Sequence, residues 1–187
     1  MIKAIQSVSS AEPVTLNRMK EHFRVSHDDD DEYIRELIRA ARERAETFTG
    51  RSFVTRSILA SYTEFESVIT LDPEPVVQVT KVEIRTSDDV WTTLDSSAYN
   101  TELLPAVSFA SVPEGMKTAN GREPIIRITY TTGYTTTNPV PYTVKQAIMM
   151  IARTLYDNRE DVVKGMTINA IPTTSMHLLQ PYRIFKF

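Results

Sequence analysis

Between Asp28 and Arg51 the chain reads DDDDEYIRELIRAARERAETFTGR, and this stretch constrains the fold more than any other. Ile34, Leu37, Ile38, Ala41, Ala45 and Phe48 recur at spacings of three and four, which predicts a helix over about residues 30–49 with one narrow apolar stripe. Asp28 to Asp31 place negative charge where unpaired N–H groups and the helix dipole favour it. Gly50 is the expected left-handed residue just past the end. Such a helix buries one seam in its own domain and leaves a broad charged face for something else. Arg39–Glu43 and Arg42–Glu46 are spaced as i,i+4 pairs on that helix.

The rest of the pattern divides cleanly. Residues 1–13 read as an extended arm, followed by a short helix at 16–23 with Thr15 as its N-cap. From Phe53 to Tyr134 the period falls to two, and Ser57–Phe65, Val76–Arg85, Val90–Leu94 and Ile125–Tyr134 read as strands. Ser87-Asp88-Asp89 suits a hairpin turn. Pro105 to Arg122 has no clear period and reads as a long loop, the kind that often binds something. Pro139 and Pro141 open a third helix over about 142–158, with Val144, Ile148, Ile151 and Leu155 as its stripe. The expected fold class is therefore α+β and mainly helical, with amphipathic helices packed around a small antiparallel β region. A domain is expected over 1–165, and an extended C-terminal arm over 166–187.

Composition narrows the function. A net charge of −3 gives no global attraction to nucleic acid or membrane, and the absence of cysteine excludes disulfides and thiolate zinc sites. No window approaches the roughly 18 apolar residues of a membrane helix, and no apolar run near the start has signal-peptide form, so a soluble intracellular protein is expected. The acidic run Asp28–Glu32 lacks the alternation and glycine of a calcium loop. His22, His27 and His177 fit no HExxH pattern, and GxSxG, P-loop and GxGxxG motifs are absent. No catalytic constellation, metal site or cofactor site is expected. The two N-terminal helices could in principle form a helix-turn-helix, yet the residues that would meet bases are four aspartates, which phosphates repel.

The closing residues Leu178, Leu179, Pro181, Tyr182, Arg183, Ile184, Phe185 and Phe187 concentrate apolar and aromatic surface. They read either as a tail folded back on its own domain or as an arm that docks into a neighbour.

Taken in order, EPVTLNRMKEHFRV, DDDDEYIRELIRAARERAETFTGR, LDPEPVVQVTKVEI, ITYTTGYTTTNPVPYTVKQAIMMIARTLYDNRE and LLQPYRIFKF resemble the head–tail connector (adaptor) proteins of long-tailed bacteriophages. The resemblance implies a structural virion protein rather than an enzyme. It implies a ring, commonly twelvefold, beneath the portal protein, with packaged DNA passing through its channel and stopper or tail proteins below. It implies portal contact through Leu178, Leu179, Pro181, Tyr182, Arg183, Ile184, Phe185 and Phe187, and location in the virion neck after assembly in the host cytoplasm. Arg39, Arg42, Glu43 and Glu46 are then expected as ion pairs between neighbouring subunits. The competing readings are a stopper or tail-completion protein one ring lower, and a small DNA-binding regulator.

Overall fold

The computed structural model describes residues 1–102, 104–121, 123–135, 139–158 and 173–185. The chain divides into two compact units, one of residues 1–9 and 54–134 and one of residues 10–53 and 135–187.

The first unit is built on a five-stranded antiparallel sheet whose order from edge to edge is 2–8, 56–62, 126–132, 76–85 and 91–93. Its strands are β1 (Ile2–Val8), β2 (Arg56–Tyr62), β4 (Val76–Arg85), β5 (Trp91–Thr93) and β7 (Ile126–Thr132). A second, two-stranded sheet pairs β3 (Val68–Thr70) with β6 (Ala106–Ser108). The central strand β7 alternates fully: Ile126, Ile128, Tyr130 and Thr132 are buried while the residues between them are half-exposed. Register aligns them with Ile58 and Ala60 of β2 and with Val82 and Ile84 of β4, so one sheet face carries the core. Ile69, Leu71, Val107 and Phe109 belong to the same buried cluster. Each such side chain contributes roughly 1.5–3 kcal/mol by leaving water. Tyr130 donates its hydroxyl proton to the Asp72 carbonyl at 2.5 Å, and Thr132 donates to the carbonyl of Pro73.

Two expectations change here. Residues 1–13 are not a free arm, because β1 pairs with β2 along the sheet edge. The described part of the expected loop 105–122 is tied down by β6, by the buried Phe109 and by a bridge from Met116 to Thr86. Its polar surface hid the short apolar strand within it. The hairpin between β4 and β5 forms as expected: Thr86 and Val90 close it at 2.8 Å, and Asp89 takes a left-handed φ of 65°.

The second unit is helical: α1 (Leu16–Phe23), α2 (Asp31–Thr49), α3 (Tyr142–Asp157) and α4 (Thr173–Leu179). Thr15 caps α1 by accepting from the Arg18 N–H at 3.3 Å. Gly50 ends α2 at φ 72°. The α2 stripe is buried apart from the half-buried Phe48, the α3 stripe is buried at Val144, Ile148 and Ile151 with Leu155 half-buried, and the two helices pack together. Phe23 of α1 lies 4.8 Å ring to ring from Tyr156, and Arg153 donates to the Phe23 carbonyl at 2.8 Å, which satisfies the end of α1. "Mainly helical" is thus an overstatement, because the β unit is an independent body with its own core rather than a small appendage. No helix among the described residues is long and apolar enough to cross a membrane.

Candidate functional site

The C-terminal segment is where sequence reasoning placed binding, and its described part is not extended. Residues 173–179 form α4 and Gln180–Tyr182 add one 3-10 turn, with Pro181 early in that turn where its missing N–H costs little. Leu179 is fully buried, so it packs the helical unit rather than facing a partner. Its side of the tail is fastened at several points. The Arg51 Nε donates to the Tyr182 carbonyl at 2.7 Å, and the Ile184 N–H donates to the Thr49 carbonyl at 2.8 Å. Gly50, at the end of α2, leaves room for Ile184, whose Cβ lies 3.7 Å from where a Gly50 Cβ would stand.

The other side of the tail faces outward. Phe185 is 58% exposed, and Pro181 and Arg183 are exposed as well. The Arg183 guanidinium lies 5.3 Å from the Phe48 ring centre and 5.2 Å from that of Phe185, so an exposed aromatic is held by a cation. Leu178, Tyr182 and Ile184 are half-buried, and Phe187 lies outside the described residues. The tail therefore combines an anchoring side with a presented side, a division that an unbroken apolar run cannot reveal.

The helix charges settle differently from their expectation. Arg42 is buried within its own chain and is no surface pairing residue. Its Nε donates to Glu12 at 2.8 Å, one terminal nitrogen to Glu46 at 2.8 Å, and the other reaches Glu12 at 3.2 Å and Glu43 at 3.4 Å. Burial disfavours the charged guanidinium, but the Glu12 and Glu46 carboxylates outweigh it and hold its pKa above the usual value. Glu46 also accepts the Phe53 N–H at 2.7 Å. The expected Arg42–Glu46 pair thus forms internally, whereas Arg39–Glu43 does not form and Arg39 has no ion-pair partner among the described residues. Glu12 is thirty positions from Arg42, which is why helical spacing alone could not find it.

The acidic run works through charge rather than through a capping side chain. Asp30 stands at the N-cap position without a capping hydrogen bond, and its carboxylate instead accepts from the Tyr156 hydroxyl at 2.6 Å. The Lys20 ammonium bridges Asp28 at 2.5 Å and Asp31 at 2.6 Å. Those hydrogen bonds raise the Lys20 pKa and lower that of Asp28. Among the described residues no three histidines and carboxylates converge on a metal position.

A cleft of about 400 Å³ opens in the helical unit beside Val14, Thr15, Arg18, Tyr142, Lys145 and Met149. Thr15 is committed to capping α1 and Arg18 to Glu21 at 2.9 Å, and the lining pairs no nucleophile with a base.

Residues 13–102 match the model of the phage gp6-like head-tail connector protein family. The whole chain shares its fold with solved neck structures. It is similar to a chain in the neck of an empty gene transfer agent particle computed with C6 symmetry, at TM-score 0.77 and 19% identity, covering 100% of this chain and 97% of that one. A chain in the virion of the native gene transfer agent particle gives TM-score 0.76 at 18% identity, with the same coverage. One in the neck of the native particle computed with C12 symmetry gives 0.65 at 20%, covering 97% of each. No curated protein matches the chain.

Proposed function

We propose that this protein is a structural head–tail adaptor of a virion neck, acting by holding partners together and not by catalysis. The observation that carries the reading is the head–tail connector match over residues 13–102. The likeness of the whole fold to chains from particle necks supports it. In this role copies of the chain form a ring under the portal protein and continue its channel, with stopper or tail proteins below. The net charge of −3 suits a channel through which DNA slides, because each fixed cation would capture a phosphate. Assembly takes place in the host cytoplasm, and the finished protein resides in the neck.

Portal contact is assigned to the presented side of the tail, Pro181, Arg183 and Phe185, with Leu178, Tyr182 and Ile184 at its margin. Leu179 keeps the tail seated. Purified chain mixed with isolated portal should co-sediment and give rings of portal symmetry by negative-stain microscopy. Phe185→Ala with Arg183→Ala should remain folded and lose that binding. Unchanged binding by this variant would refute the tail assignment. Binding that requires a second neck protein first would move the chain one ring down, to a stopper.

A further inference from the structure

The sheet of the first unit ends in two long unpaired edges. At one end is β1, seven residues with β2 on only one side. Its residues are exposed almost throughout, including Ile2 at 66%, Ile5 at 58% and Val8 at 50%. At the other end β5 pairs only with Glu83–Arg85 of β4. Among the described residues no strand covers the outer edge of Val76–Lys81, where Val77, Gln78, Thr80 and Lys81 are exposed. A long apolar edge strand is a template for another strand, and proteins that keep such an edge free defend it with charge, proline or shortness. β1 has no proline and a single charged residue, Lys3, which is drawn into an ion pair with Asp72.

We infer that β1 of one copy pairs with the open half of β4 in the next copy, so that the sheets of neighbouring subunits join edge to edge. The lengths agree, since a seven-residue strand meets an open stretch running from Val76 to the start of the β5 pairing, and both edges are bulged, between Ile5 and Ser7 in β1 and between Val76 and Gln78 and Val79 and Lys81 in β4, so the pairing must fit bulge to bulge. The faces agree as well. Register puts Ile5 and Val8 opposite Ile58 and Arg56, on the face that carries the core, and β4 presents Val76 and Val79 on that same face beside Thr132 and Tyr130. Joining the two edges continues one apolar surface across the boundary, and the added main-chain hydrogen bonds satisfy groups that otherwise face water. β1 and β4 are different surfaces of one chain, so the contact is heterologous. Repeated from copy to copy, it closes into a ring or runs on as a filament. The inference rests on the ring proposed above and names the strands that make it.

The test uses the full-length chain in analytical ultracentrifugation. One variant, Ile2→Lys with Ile5→Lys, blocks the β1 edge; a second, Val77→Lys, blocks the β4 edge. All of these side chains are exposed, so circular dichroism should match the parent. Val112→Lys, at a side chain 58% exposed and off both edges, is the control. The parent and the control should form higher oligomers, each edge variant alone should remain monomeric, and an equal mixture of the two should stop at one-to-one dimers. Dimers of Val77→Lys alone would mean that β1 pairs with β1, which overturns the inference. Intact rings from both edge variants overturn it while leaving the ring reading in place. A parent chain that is monomeric at every concentration overturns it too, and the portal experiment then decides the ring reading separately.

Discussion

Replacing Arg42 by Met tests whether the helical unit is held by charge inside its own core. The guanidinium side chain is 5% exposed, and its partners Glu12, Glu46 and Glu43 are 21%, 10% and 61% exposed. Methionine keeps most of the aliphatic volume and strands the carboxylates. Breaking a buried ion pair from one side costs about 3–5 kcal/mol. Glu12 and Glu43 can turn to water, whereas Glu46 is held by the Phe53 N–H, so the lower end, about 3 kcal/mol, applies. For a chain of this length that corresponds to a fall of roughly 6–12 °C in Tm. Urea unfolding followed by far-UV circular dichroism reads the change. Glu46→Gln added to Arg42→Met keeps an acceptor for Phe53 and removes the stranded charge, and should recover about 1–2 kcal/mol. A loss below about 1 kcal/mol for Arg42→Met, or a double variant no better than the single, would refute the reasoning.

Glycine positions should separate by their surroundings. A Cβ at Gly133 would stand 2.1 Å from the Val54 carbonyl oxygen at φ 107°, whereas at Gly50 it meets nothing closer than 3.7 Å at φ 72°. Gly50→Ala should cost about 1–2 kcal/mol in urea unfolding and Gly133→Ala clearly more, and the reverse order would count against the geometry. Leu179→Ala should lower stability by about 2–5 kcal/mol, while Phe185→Ala should leave the unfolding midpoint unchanged and weaken only portal capture. The His22 pKa lies below its usual value, through burial first and then the charges of Arg153 and Arg18. The unfolded chain therefore takes up a proton before the folded one. Stability should fall as pH drops below about 6.5 toward the lower folded value, and His22→Gln should flatten that slope in urea titrations.

Much of this architecture is readable from periodicity. The α1 and α2 stripes, the β7 alternation and both helix ends at Thr15 and Gly50 follow from local spacing, because each is decided within a few residues, whereas β4 alternates only over Val82–Arg85 because two bulges interrupt its first half. Three features escape that logic. β1 has little amphipathic signal because it is exposed on both faces, so only its pairing with β2, some fifty residues away, makes it a strand. The β3–β6 pair joins two three-residue segments too short to show a period. In the tail, the same run of apolar residues contains the buried Leu179 and the exposed Phe185, and only the position of Thr49 and Arg51 decides which side is which. Long-range partners, not local propensity, settle all three.

The chain passes between its two units three times, after Ser9, after Phe53 and after Tyr134. Neither unit can be cut out as one continuous piece. The region that matches the connector family model, residues 13–102, omits β1, the central strand β7 and α3, and so removes the middle of the sheet and the partner helix of α2. A fragment drawn to that region would expose the apolar faces of both remainders and aggregate rather than fold. β1 is made first yet cannot pair until β2 follows the whole of α1 and α2. Folding of this protein is therefore a property of the entire chain, and deletion mapping of its partners is better done with surface substitutions than with fragments.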